Sequence, residues 1–240
     1  MTPPTSSSGP DGDTPVQRVP LTRERVFSTA LQLVDGEGLE ALTRRRLGQE
    51  LGRDAMALYR YAPDRAALLD GIVELVLDGL EIPPGGQDWR AQLRRTAHDF
   101  RLLGLAHPHV VSLIVTRPLA TPLGLRPLGT LRPLERLLGV LTGAGFSAAL
   151  SLRVYRLYMG FLFGHLLTEL QEVVTDPEET SDLLRLGLHR LPVREFPLVR
   201  GLATELANYD GAAELDQGLT VLFAGLESHL AGETREATGL

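Results

Sequence analysis

From residue 22 onward, apolar positions along the chain recur at helical spacing. Val26, Ala30, Leu33 and Val34 form a stripe that predicts a first helix, with Thr22 as N-cap and Glu24 in its first turn. Asp35-Gly36-Glu37-Gly38 ends it. A second helix is expected over residues 44–51, capped by Thr43, with Leu47 and Leu51 at i, i+4 and Gly52 as breaker. A third, short one is expected over residues 54–61, with Leu58 facing inward. Asp64 then caps a fourth, in which Leu68, Leu69, Ile72, Val73, Leu75 and Val76 run to about residue 80.

The same pattern continues past a Pro-Pro-Gly-Gly linker at residues 83–86. Helices are expected over residues 88–105, 108–115, 131–144, 148–173, 197–208 and 212–230. Residues 116–130, with Pro118, Pro122 and Pro127, read as a loop, and residues 174–196 as a mobile loop. Nothing alternates with strand periodicity, and no internal repeat is present. The fold class is therefore all-α. An N-terminal three-helix unit carries a helix-turn-helix, and a C-terminal helical domain follows. The divisions are a disordered tail (1–20), the helix-turn-helix domain (21–66), a connecting helix and linker (67–86), the C-terminal domain (87–232) and a tail (233–240).

Composition sharpens this. The chain has 240 residues, 43% of them hydrophobic but only 5% aromatic, which suits helix-on-helix packing. It has no Cys, so disulfides and thiolate metal sites are excluded. The net charge is −6, so the molecule as a whole is no basic nucleic-acid binder. Residues 43–65, however, hold six Arg against three acids, a local +3 that leaves −9 for the remainder. One end of an acidic body is thus positive. All basic residues other than His are Arg, as expected from the codon usage of a GC-rich genome. The first 20 residues lack the apolar core of a signal peptide. Arg156 and His165 interrupt the most apolar stretch, residues 154–170. A soluble, cytoplasmic protein with no membrane partner is the expectation.

Two short helices joined by a Gly-containing turn describe a reading head for the major groove. The run Thr43-Arg44-Arg45-Arg46-Leu47-Gly48-Gln49-Glu50-Leu51-Gly52 is followed by Ala55-Met56-Ala57-Leu58-Tyr59-Arg60-Tyr61 and Pro63-Asp64-Arg65-Ala66-Ala67-Leu68-Leu69. These residues resemble the tetracycline-repressor (TetR) family of transcriptional regulators. The resemblance is strong over residues 22–80. It is weaker over 88–230, through Trp89, Phe100, Thr116-Arg117-Pro118 and Gly145-Phe146-Ser147.

The resemblance implies a homodimeric DNA-binding regulator, most commonly a repressor, released from a pseudo-palindromic double-stranded operator by a small-molecule effector. It implies no catalytic residues, no metal and no cofactor. Arg45 takes the place of a base-reading residue, and Ala55, Met56 and Ala57 the recognition positions. All three are apolar, so readout there is by contact with thymine methyl groups. Tyr59 and Tyr61 match groove- and phosphate-contacting aromatics. Arg65 matches a phosphate-binding residue, and Thr43 offers backbone N–H groups to a phosphate. Arg44, Arg46, Arg53 and Arg60 read as phosphate neighbours or solvated charges. Arg18 and Arg23 are within reach of an adjacent minor groove.

In the second domain, residues 148–173 are apolar around nearly the whole helix, which requires burial on all sides. The resemblance places a pocket on one side and a partner subunit on the other, with Leu215, Leu219, Leu222, Phe223, Leu226 and Leu230 in the same dimer bundle. Candidate pocket residues are Phe100, Leu103, Leu113, Tyr155, Tyr158, Met159 and Phe163, with His98, His107 and His109 as further polar candidates. The tetracycline repressor holds a magnesium–drug chelate through a His just before its Thr-Arg-Pro segment. Here that stretch is Leu113-Ile114-Val115, which does not fit such a ligand. His165 and Glu169, at i, i+4, can offer two ligands to one metal but have no firm third. Two alternatives stay open: a metalloenzyme on a helical bundle using that pair, and a ligand-binding or protein-interaction module that keeps the fold without operator binding.

Overall fold

The structure is a computed structural model that describes residues 20–83, 88–120, 123–172 and 181–238. Every regular element among the described residues is helical. The order is α1 (Arg23–Glu37), α2 (Arg44–Leu51), α3 (Arg65–Asp78), α4 (Trp89–Ala106), α5 (Pro108–Ala120), α6 (Leu128–Gly143), α7 (Ala148–Glu172), α8 (Ser181–His189), α9 (Pro197–Gly201), α10 (Ala203–Ala207) and α11 (Gly211–Thr238), with short 3-10 turns between some of them.

The N-terminal boundaries follow from capping chemistry. Thr22 accepts from the Arg25 N–H at 3.2 Å, Thr43 from Arg46 at 3.1 Å, and Asp64 from Ala67 at 2.7 Å. Each cap satisfies a donor that the first helical turn leaves open, worth about 1 kcal/mol. Gly52 closes α2 in the left-handed region at φ 62, where a side chain would be strained. Asp88 caps α4 through the Arg90 and Ala91 N–H groups, which hold its carboxyl below the usual range.

α1, α2 and the first turns of α3 close over Val26, Leu47, Leu51 and Leu58, all buried. Burial of each such side chain contributes about 1.5–3 kcal/mol. α3 does not stop at that unit. It also packs on α5 and α6, and one apolar core runs continuously from Leu47 to Leu215 and Phe223. The reading head is thus fused to the C-terminal bundle through α3. Trp89, at the start of α4, meets Phe146 and Phe223 edge-on at 5.2 and 5.3 Å, joining α4 to the turn between α6 and α7 and to α11.

Several boundaries differ from expectation. The third helix is a 3-10 turn, Ala55–Leu58, followed by an irregular turn. Residues 116–130 are mostly helical: α5 continues to Ala120, a 3-10 turn spans Leu123–Leu125, and α6 begins at Leu128. Tertiary partners override the proline signals. Arg117 pairs with Asp70 in α3, and Glu74 of α3 accepts from the Gly129 N–H at the start of α6. The segment read as a mobile loop over 174–196 contains α8; its residues 174–180 lie outside the described residues. α9 and α10 replace a single helix over 197–208. α11 continues to Thr238, into the residues read as a tail. The N-terminal tail 1–19, with Arg18, and linker residues 84–87 lie outside the described residues.

The outer surface of α7 is not covered within one chain. Val154, Tyr158, Leu162 and Leu166 are buried, but Leu152, Leu157 and Leu167 on the opposite side are exposed. α11, packed on α7, exposes Val221 at 76%.

Candidate DNA-binding face and internal cavity

The positive end of the molecule is built on α2 and the 3-10 turn after it. Gly48, inside α2, makes their close approach possible. A Cβ there would lie 2.8 Å from the Arg53 carbonyl oxygen and 3.4 Å from the Ala55 nitrogen. Asp54 caps the turn through the Met56 N–H at 2.7 Å. Leu58 is the inward anchor, and Met56 is 72% exposed. Ala57 and Tyr59 are also exposed, whereas Ala55 is half-buried against α2.

The Arg residues of this end divide by engagement. Arg45, one position into α2, is exposed and makes no hydrogen bond or ion pair among the described residues. Arg44 lies over the Tyr59 ring at 4.1 Å and donates to the Ala62 and Pro63 carbonyls, so it braces the tyrosine. Arg46 is held by Glu37 and Glu50, each at 2.6 Å, which takes it away from the role of phosphate neighbour. Arg23 pairs with Glu74.

Tyr61 and Arg65 also have internal partners. The Tyr61 hydroxyl donates to the Leu21 carbonyl, under the Arg60 guanidinium. Arg65 donates to the carbonyls of Leu42 at 2.5 Å and Leu39 at 3.0 Å, tying the first turn of α3 to the segment that leads into α2. Both residues fix the head's geometry, while Thr43, Arg45, Met56, Ala57 and Tyr59 present the exposed face.

A second feature lies between α3, α4, α5, α6 and α7. It is a cavity of about 140 Å³. That is room for on the order of ten waters. Phe100, Tyr155, Tyr158, Met159 and Phe163 line it, and Leu103 and Leu113 do not. Phe100 and Phe163 meet at 5.8 Å. Tyr158 is 1% exposed and donates its hydroxyl to the Leu93 carbonyl at 2.6 Å. Burial pushes its pKa, and that of Tyr155, above the ordinary range.

Sequence reading missed the polar wall of Asp70, Thr96, Arg117 and Arg126. The available signal was Asp70 and Glu74, polar residues at i, i+4 inside an otherwise apolar α3. None of His98, His107 and His109 lines the cavity. His98 and Arg94 hydrogen-bond Asp216 on α11 and hold its carboxyl below the usual range. His107 meets Asp35 of α1 at 2.8 Å, and His109 is exposed. The His165–Glu169 pair is buried under α11, where Arg101 grips Glu169 at 2.5–3.1 Å and His165 Nε2 stands 3.6 Å away. Arg101 therefore occupies the carboxylate oxygens that a metal would need.

Residues 82–230 match the family described as "Tetracyclin repressor-like, C-terminal domain". The chain is 30% identical to the tetracycline repressor protein class C of Escherichia coli, over 86% of this chain and 91% of that one. It is 39% identical over 104 residues to the HTH-type transcriptional repressor DrrR1 of Streptomyces coeruleorubidus, a match covering 42% of this chain and 38% of that one. Among solved structures it resembles the TetR family protein ActR of Streptomyces coelicolor in complex with actinorhodin, with a TM-score of 0.72 and 30% identity over 88% of this chain and 99% of that one. The head on α2, the helical bundle behind it and these likenesses agree: the chain belongs to the TetR family of DNA-binding transcriptional regulators.

Proposed function

We propose that the chain is a cytoplasmic, homodimeric repressor that binds a pseudo-palindromic operator and leaves it when a small molecule fills the internal cavity. The observation that carries the reading is Arg45: exposed and without an internal partner in the first turn of α2, beside a Tyr59 held by Arg44. Arg against guanine O6 and N7 is worth about 1–3 kcal/mol of discrimination. Thr43, Met56, Ala57 and Tyr59 complete the face, with Ala55 against its rim. Met56 and Ala57 suit thymine methyl groups. Arg65 keeps its carbonyl partners and meets phosphates through its remaining N–H groups, whereas the one hydroxyl proton of Tyr61 is already given to the Leu21 carbonyl.

Dimerisation is supported by the exposed apolar residues on α7 and α11. Two helices from each subunit form a four-helix interface about a two-fold axis. Two heads then meet successive major grooves about 34–36 Å apart. The cavity supports an effector role because α3 forms part of its wall and also carries the head. A ligand shifts the equilibrium only through its different affinity for the two arrangements of α3. That a relative of this family is solved with actinorhodin bound supports a small organic effector.

The test is selection of bound duplexes from a random pool at fixed salt, repeated with the Arg45→Ala, Tyr59→Ala double variant. Enrichment of a palindrome by the wild type alone is expected. A folded wild-type dimer that enriches nothing refutes operator binding and leaves the ligand-binding module without DNA.

A further inference from the structure

The reading head is joined to the C-terminal bundle by α3, which runs from one into the other, and by the packing of α1 on α5. Apolar packing is not directional, so it holds the head against the bundle without fixing its angle; a hydrogen bond does fix an angle. One such bond runs from α1 to the corner between α4 and α5. His107 Nδ1 meets Asp35 Oδ2 at 2.8 Å, and both side chains are mostly buried.

Asp35 is badly placed for α1 alone. It lies in the last turn, with Glu37 and no basic residue, where the negative end of the helix disfavours a carboxylate. Its Oδ1 is buried without a hydrogen-bond partner among the described residues, which adds to the cost. His107 is the group that offsets this placement. Its backbone is held on both sides of the corner: its N–H donates to the Leu103 carbonyl at 3.1 Å, and its carbonyl accepts from the Val110 N–H at 2.9 Å. The corner also lies between two stretches of cavity wall, Thr96 and Phe100 on α4 and Ile114 and Arg117 on α5. Two residues beyond Asp35, Glu37 holds Arg46 of α2 at 2.6 Å. Contacts thus run from the corner through α1 to the helix that carries Arg45.

We propose that His107, acting through Asp35, is a positioning residue for operator binding: it fixes the angle of the reading head on the bundle, and so the distance between the two heads of a dimer. This rests on the operator reading given above. Without the contact the head pivots about α3, and each binding event must fix the angle anew.

Palindromic duplexes whose half-sites are shifted one base pair at a time, about 3.4 Å a step, read that angle. The wild type is expected to prefer one spacing sharply. His107→Leu lowers affinity for that spacing about fivefold or more and flattens the preference. His107→Asn, whose amide nitrogen can stand where Nδ1 stood, restores part of both. Asp35→Ala flattens the preference in the same way, and it carries the test if His107→Leu does not fold. The double variant loses no more than either single one. A role confined to α1 predicts the reverse for Asp35→Ala: a more stable protein with an unchanged spacing preference, since Ala is the better helix former and the acid opposes the dipole. That result, an unchanged preference in His107→Leu, or additive losses in the double variant overturns the proposal and leaves the operator reading intact. A wild type that selects no palindrome refutes the operator reading and the role of His107 with it.

Discussion

Gly48→Ala perturbs the closest approach in the reading head. In an open helix interior, Gly→Ala stabilises by about 0.5–1 kcal/mol, because the unfolded chain loses freedom. At Gly48 the new methyl would sit 2.8 Å from the Arg53 carbonyl oxygen. That oxygen is backbone. The Arg53 N–H also donates to the Gly48 carbonyl at 2.9 Å, so the turn cannot swing away without losing a hydrogen bond. Overpacking of this kind costs about 1–3 kcal/mol. Set against the propensity gain, the net is a loss of up to about 2.5 kcal/mol, or up to roughly 10 °C of melting temperature for a chain this long. The control is Gly139→Ala in α6, where nothing lies within 4 Å and the melting temperature should rise. The assay is thermal melting of both variants, followed by operator affinity at fixed salt. Gly48→Ala should also weaken operator binding, because relieving the clash displaces Ala55 to Tyr59 from α2. A Gly48→Ala protein as stable as its Gly139→Ala counterpart, with full operator affinity, refutes the reasoning.

Three further outcomes follow from named contacts. Arg45→Ala should lower specific operator affinity by about 1–3 kcal/mol in a fluorescence-anisotropy titration while leaving the melting curve unchanged, since its side chain has no internal partner. Glu169→Ala leaves Arg101 without its carboxylate beside the buried His165, at a cost of about 3–5 kcal/mol; a melting temperature within a degree of wild type would show that the pair is not a structural clasp. Asp216, whose carboxyl His98 and Arg94 hold below its ordinary value, contributes stability at neutral pH that disappears as pH falls through its folded pKa. Asp216→Asn should therefore destabilise at neutral pH but not at the acid extreme, and parallel melting-temperature profiles for the two proteins contradict that assignment.

The legible parts of this protein were those governed by neighbours in sequence. The starts of α1, α2, α3 and α4 were readable because Thr22, Thr43, Asp64 and Asp88 each bond an N–H two or three residues on. Arg45 and Met56 came from the family resemblance, and both are exposed. Five of the cavity residues followed from aromatic and apolar positions on α4 and α7.

What failed involved partners distant along the chain. Prolines argued for a loop over 116–130, and only the contacts of Arg117 with Asp70 and of Glu74 with Gly129 carry α5 and α6 through it. Position along the chain gives Arg65 and Tyr61 no internal partners, because the carbonyls they bond come within reach only once α1, α2 and α3 are packed. By itself, then, the sequence determined an all-helical regulator with a reading head at one end, because capping and helical periodicity act within a few residues. Tertiary structure alone decided which guanidinium groups of the head are held internally and which stay exposed, because a donor's availability depends on whether an acceptor arrives from another helix.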